Sequence, residues 1–277
     1  MTTVTAELKA LQLKAKKDVY TLLSGHSLSK LNGEGYDFSE LREYQVGDDI
    51  RKINWVITAK LGKPYIKELH SNRELSVVVV ALMDGSVYFD SNNAKQHKLC
   101  EVATTLAYAT QHGSDLFQGL LYTTKETYVT PPTKQLFHLE EFSKKLYESS
   151  LLGSKLDYKK SIEDTFNRLH KPSLVFILAD FLEDIDLSLL SQKHEVVAIV
   201  VRKREEESLK ALLDITLLNP KSKNRLDTHF TSKSVNEYIA KLKEHDKRQQ
   251  EHFALYGIRF VKVFCDDNVV EKLVKLF

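Results

Sequence analysis

From Leu75 to the end of this chain, short apolar runs alternate with amphipathic segments, and that alternation limits the architectures available more than any other feature. LSVVVVALMD reads as a strand with no polar side, and Leu99, Val102, Ala103 and Leu106 then recur at helical spacing. DLFQGLLYT, KETYV, SLVFILAD, EVVAIVV and RFVKVFC read as further strands. Helices are expected between them on three sets of residues: Leu139, Phe142 and Leu146; Tyr158, Ile162 and Phe166; Val235, Tyr238, Ile239 and Leu242. A closing helix starts at Asp267. A strand that is apolar on both sides needs cover on both faces. The pattern therefore predicts an α/β domain over residues 75–277, with a doubly wound, mostly parallel sheet.

Residues 1–74 read differently. Leu8, Leu11, Ala15, Val19 and Leu22 predict an amphipathic helix over 5–23, expected to dock on the main domain. Residues 24–64 are rich in glycine and charge and read as irregular, apart from a short periodic stretch, Ile50 to Lys60. Residues 202–231 also lack regular patterning.

Several function classes are disfavoured. Forty Lys and Arg against thirty-eight Asp and Glu leave no strong field for nucleic acid or anionic lipid. The runs Val77 to Met83 and Val196 to Val201 fall well short of the roughly 20 residues a bilayer requires. MTTVTAELKALQLKAKK has no continuous apolar core of the secretory kind, so a cytoplasmic location without direct membrane insertion is expected. Cys100 and Cys265 fit neither a zinc site nor a disulfide framework and are expected as reduced packing residues. Phosphate-loop, dinucleotide and nucleophile-elbow signatures are absent, and the ten histidines, expected mostly at the surface, form no short metal-binding pair. In a parallel sheet ligands bind where strands end at their carboxyl side. Two strands end in aspartate, at Asp84-Gly85-Ser86 and at Asp180, which makes these the candidate site.

The segment GEGYDFSELREYQVGDDIRKINW joins Arg42-Glu43-Tyr44, Gly47-Asp48-Asp49, Arg51 and Trp55, and is followed by Thr58-Ala59-Lys60 and a charged stretch with Arg73. This combination resembles the domain-of-unknown-function 58 family. The resemblance implies a von Willebrand factor A-like domain. Its metal-ion-dependent adhesion site takes an Asp-x-Ser-x-Ser loop, a Thr from a second loop and an Asp from a third, and holds magnesium through oxygen ligands. Here Tyr88 stands at the second serine position, and Ser154 in Gly153-Ser154-Lys155-Leu156 stands where a threonine is usual. A degenerate site is implied, with Asp84, Ser86, Ser154 and Asp180 left as its possible metal ligands. Arg202-Lys203-Arg204-Glu205 replaces an Asp-Pro-x-Glu element. The resemblance further implies a MoxR-type AAA+ ATPase as partner, acting on an unknown client protein.

Plainer roles compete at each position. Asp48 and Asp49 can cap a short helix. Arg42, Arg51 and Arg73 can brace the segment through Glu40, Glu43 or Glu74. Trp55 is expected to anchor the extension by core packing, and Arg202 to Glu207 to form a solvated, mixed-charge turn. The leading functional expectation is a non-enzymatic binding or adaptor module. A magnesium-dependent phosphohydrolase with Asp84 as nucleophile is the alternative, weakened because Ser86 stands where such enzymes place a second aspartate. A nucleic-acid-associated role is disfavoured by the charge balance.

Overall fold

The computed structural model describes residues 2–27, 38–45, 47–69, 75–88, 92–209 and 212–276. Its elements in chain order begin with α1 (Thr2–Ser27), β1 (Phe38–Glu43), α2 (Trp55–Leu61), β2 (Tyr65–Leu69), β3 (Ser76–Leu82), α3 (Ala94–His112), β4 (Leu116–Tyr122) and β5 (Thr127–Val129). They continue with α4 (Leu136–Glu148), α5 (Tyr158–Arg168), β6 (Leu174–Ala179), α6 (Ser188–Ser191), β7 (Glu195–Arg202) and α7 (Arg204–Glu207). The chain ends with β8 (Leu212–Leu218), β9 (Arg225–Phe230), α8 (Ser232–Leu255), β10 (Arg259–Phe264) and α9 (Val269–Val274). Two compact units form: Met1–Tyr20 with Leu75–Phe277, and Thr21–Glu74.

The larger unit is a mixed α/β domain around a six-stranded sheet of order β10-β7-β6-β3-β4-β5. All neighbours pair in parallel except the edge strand β5, which runs antiparallel to β4. The apolar runs explain why. Along β3, Val77, Val79 and Ala81 enter one core, while Val78, Val80 and Leu82 enter the other. β7 divides in the same way, with Val197, Ile199 and Val201 on one face and Val196, Ala198 and Val200 on the other. A sheet that buries both faces must be covered by helices on both sides. One face packs on Leu99, Val102 and Leu106 of α3 and Leu139, Phe142 and Leu146 of α4, joined by Leu8 of α1. The other packs on Ile162 of α5, Leu190 of α6 and Phe253 of α8.

Two stretches expected to be irregular carry regular structure. Residues 212–230 hold β8 and β9, an antiparallel pair. In the smaller unit β1 and β2 also pair antiparallel, with Arg42 opposite Ile66 and Glu43 opposite Tyr65. Charged side chains interrupt the apolar alternation in both hairpins, so period-two reading misses them. Helix α2 in the smaller unit starts where Asn54 Oδ1 accepts from Ile57 N at 3.3 Å and stops at Gly62, whose φ of 69° is a left-handed helix end. The Asn54 amide reaches Tyr65 O at 2.8 Å, and Tyr65 N reaches Thr58 Oγ1 at 3.1 Å, which ties α2 to β2. No helix among the described residues is long and apolar enough to cross a membrane.

Candidate functional site

The sheet order places a topological switch at β3. The chain leaves β3 for β4 on one side and returns to β6 on the other. The carboxyl ends of β3, β6 and β7 therefore lie side by side, and Asp84, Asp180 and Arg202 extend from these three neighbouring strands. Such a switch point is where open α/β sheets present ligand sites.

Asp84 is fully buried, and both of its oxygens are engaged. Oδ1 accepts from the Ser86 amide at 2.8 Å and the Ser86 hydroxyl at 2.7 Å. Oδ2 accepts from the Tyr158 hydroxyl at 3.1 Å and pairs with Lys221 Nζ at 2.7 Å. Lys221 comes from the turn between β8 and β9, and its ammonium also reaches Glu183 at 2.6 Å. Asp180 is 2% exposed and pairs with Lys95 Nζ at 3.1 Å. Lys95, in the first turn of α3, has a fully buried side chain and also donates to Glu206 at 2.6 Å and to the Ser86 carbonyl at 2.5 Å. Arg202 is fully buried. It donates to the carbonyls of Asp180 and Phe181 and pairs with Asp246 at 3.1 Å, while its Nη1 has no hydrogen-bond partner among the described residues. Phe181 holds φ at 49°, a left-handed conformation unusual for a side chain of this size, and its carbonyl faces Arg202.

The electrostatics follow from this arrangement. Burial alone raises an aspartate, but the Lys95 charge, the Ser86 hydroxyl and Arg202 outweigh it and hold Asp180 below the usual carboxylate range. Burial likewise depresses a lysine, yet Asp180 and Glu206 keep Lys95 above its ordinary value. For Lys221 the desolvation is outweighed by hydrogen bonds and charge from Asp84 and Glu183, and the net direction is again upward. Burial, reinforced by Asp180 and Asp84, pushes the Tyr158 phenol up, so it remains a donor.

The site residues read from sequence separate into two groups. Asp84, Ser86 and Asp180 belong to one network. Ser154 is buried nearby, and its carbonyl accepts from Gly85 N at 3.0 Å, but its hydroxyl donates to Leu151 O at 2.5 Å and not toward the carboxylates. Tyr88 closes the short turn Gly85–Val87 through its amide and lines a separate recess of about 650 Å³ with Gln96, His97 and Tyr147. The solvated turn expected over Arg202 to Glu207 is corrected. Arg202 and Glu206 are buried, because their charges are met by the Asp180 and Phe181 carbonyls, Asp246 and Lys95.

Magnesium, which the resemblance implied, does not fit these residues. Two ammonium groups already hold Asp84 and Asp180 at contact distance, and the Ser154 hydroxyl is committed to a backbone carbonyl. Lys95, Glu206, Tyr158 and Lys221 were not singled out from sequence as site residues. Lys95 did leave a signal, since it falls on the helical face defined by Leu99, Val102 and Leu106, a place where a lysine must find buried partners. The turn residue Lys221 left none.

In the smaller unit, Asp49 caps the short turn Ile50–Lys52 by accepting from Arg51 N at 3.0 Å, as expected for an N-cap. Asp48 differs. It receives both guanidinium nitrogens of Arg42 at 2.7 and 2.8 Å and the Gln45 amide at 2.9 Å, so Arg42 braces the loop through Asp48. Gly47 has φ 113°, which favours glycine. Tyr44 joins the hairpin by donating its amide to Pro64 O at 2.8 Å. Arg51 is exposed, and Arg73 and Glu74 lie outside the described residues. The core-packing role expected for Trp55 is also corrected, since its side chain is 68% exposed on a helix with no buried residue.

Together these features define an α/β domain with a closed polar cluster at its switch point, accompanied by a small hairpin unit that carries the signature residues. The chain belongs to the DUF58 family of proteins of unknown function, whose profile matches residues 40–249. Relatives include the uncharacterized proteins Rv1480 of Mycobacterium tuberculosis and Mb1516 of Mycobacterium bovis. Each is 25% identical over 224 residues, covering 78% of this chain and 71% of the relative. Among solved structures, the conserved hypothetical protein BatB from Bacteroides thetaiotaomicron aligns with a TM-score of 0.44 at 12% identity, covering 73% of this chain and 95% of that one. An aerotolerance-related membrane protein from Bacteroides fragilis aligns with a TM-score of 0.41 at 12% identity, covering 73% and 96%.

Proposed function

We propose that this chain is a non-enzymatic protein-binding or adaptor module of von Willebrand factor A-like type. In this reading it works in the cytoplasm with a MoxR-type AAA+ ATPase on a client protein. The observation that carries the proposal is the apolar surface the signature segment leaves uncovered. Between residues 50 and 61, Ile50 is 63% exposed, Trp55 and Val56 are each 68% exposed, and Leu61 is 58% exposed. Large apolar side chains concentrated on so short an exposed segment mark partner surfaces, and tryptophan is prominent among residues that dominate binding energy.

The phosphohydrolase alternative has weaker support. A carboxylate nucleophile needs a free oxygen facing an opening, whereas Asp84 is fully buried and both its oxygens have partners, one of them an ammonium.

The test is affinity capture of the tagged chain from its native cells, with bound proteins identified by mass spectrometry. Enrichment of an AAA+ ATPase by the wild type, and its loss with Trp55→Ala, is the expected result. Capture of the ATPase equally well by wild type and Trp55→Ala would place the interface elsewhere. Magnesium-dependent turnover of phosphoesters that disappears in Asp84→Asn would restore the enzymatic reading.

A further inference from the structure

Buried carboxylates require compensation, by a metal ion, by protonation or by cationic side chains. At the switch point three buried carboxylates meet two ammonium groups of this same chain: Lys221 pairs with Asp84, and Lys95 pairs with both Asp180 and Glu206, while Arg202 donates to the Asp180 carbonyl and pairs with Asp246. Each of the three carboxylates thus has a cationic side chain of this chain as its partner. Two of the cations differ in how they are held. Lys95 rises from within α3, fixed by the core. Lys221 sits at the tip of a hairpin turn, and its side chain is 16% exposed.

The seating of that turn is specific. Pro220 O accepts from Gly153 N at 2.7 Å. A Cβ on Gly85 would stand 2.3 Å from Pro220 O and 2.9 Å from Lys221 Cα, so the turn approaches the Asp84 loop as closely as it does only because residue 85 is glycine. The Asn219 side chain accepts from the amides of Lys221 and Ser222 at 2.9 and 3.1 Å, which shapes the tip that delivers the ammonium.

We propose that Asp84 is the acceptor of a cation site whose ligand is a primary ammonium supplied in cis, the side chain of Lys221. The β8–β9 turn is the tethered plug that carries it. The seated turn makes the site independent of divalent metal, and lifting the turn turns the same oxygens into a site that draws a free cation. This inference stands apart from the adaptor reading: partner capture tests one and thermal unfolding tests the other.

The experiment compares thermal unfolding of the whole chain in EDTA and in millimolar magnesium, for wild type, Lys221→Met and Gly85→Ala. The wild-type midpoint is expected to be the same in both. Lys221→Met should melt about 5 °C or more lower in EDTA, since it strips the partner from a buried charge, and magnesium should return part of that loss. Gly85→Ala keeps Lys221 but displaces its turn, so it should show the same dependence on magnesium, and it serves if Lys221→Met does not fold. A saturable magnesium effect on the wild type overturns the proposal. So does a Lys221→Met chain that melts like the wild type. A loss that magnesium does not repair in either variant also overturns it, reducing Lys221 to an ordinary ion pair.

Discussion

The strand-end cluster and the Ile50 to Leu61 segment show opposite solutions to the placement of costly side chains. At the strand ends, charged groups are buried and almost every polar atom has a partner. In the signature segment, apolar groups are exposed on a helix with no buried residue. Burying a charge without a partner is unfavourable, and so is exposing a tryptophan to water. The first arrangement is closed within the chain. The second leaves apolar surface open to solvent. Under the proposed function, structural work falls to the polar cluster and binding work to the apolar segment, the reverse of what the aspartate-ended strands suggest in sequence.

The comparison breaks first if the cluster is not structural. Lys95→Met leaves Asp180 and Glu206 buried without their ammonium, and should lower stability by about 3–5 kcal/mol, measured as the urea unfolding free energy. A loss below about 1 kcal/mol would mean the carboxylates find other compensation. Trp55→Ala sharpens the opposite side. It should change stability by no more than about 0.5 kcal/mol, because the side chain packs little, while weakening partner binding at least about tenfold. Within the signature unit, Arg42→Ala removes a two-pronged pair with Asp48 that is only partly screened by solvent, and should cost ~1 kcal/mol of stability.

The smallest effect concerns pH. His194 is 5% exposed, and neither ring nitrogen has a hydrogen-bond partner among the described residues. Burial, helped by the nearby Lys193 charge, holds its pKa below the ordinary 6.5. The unfolded chain therefore binds the proton more readily, so this contribution to stability is complete above about pH 6.5 and is lost as pH falls from there toward the folded value. His194→Phe should flatten the urea midpoint between about pH 7 and pH 5.5 relative to wild type. An unchanged slope would contradict the assignment.

Much of the fold was legible because its signals are local. Val77 to Leu82 alternate between two cores, and an uninterrupted apolar run can be satisfied in no other common way than by a sheet covered on both faces. The ends of those strands were legible for the same reason, which brought Asp84 and Asp180 into view. The partners were not. Glu206 and Arg202 stand in a run of mixed charge that looks self-neutralising, and only the fold reveals that their partners are Lys95, more than a hundred residues away from Glu206, and the backbone carbonyls of Asp180 and Phe181. Lys221 lies in an Asn-Pro-Lys-Ser-Lys-Asn turn whose composition reports a bend and says nothing of where the bend lands. The hairpins were hidden because charged residues such as Arg42 and Glu43 occupy strand positions that periodicity reserves for apolar ones.

The most direct test of this division of labour is the affinity of the purified chain for its captured ATPase, measured by calorimetry for wild type, Trp55→Ala and Lys221→Met. The account predicts that Trp55→Ala binds at least about tenfold more weakly and that Lys221→Met, where folded, binds like the wild type. Undiminished binding by Trp55→Ala together with lost binding by Lys221→Met would contradict it and return the interface to the strand ends.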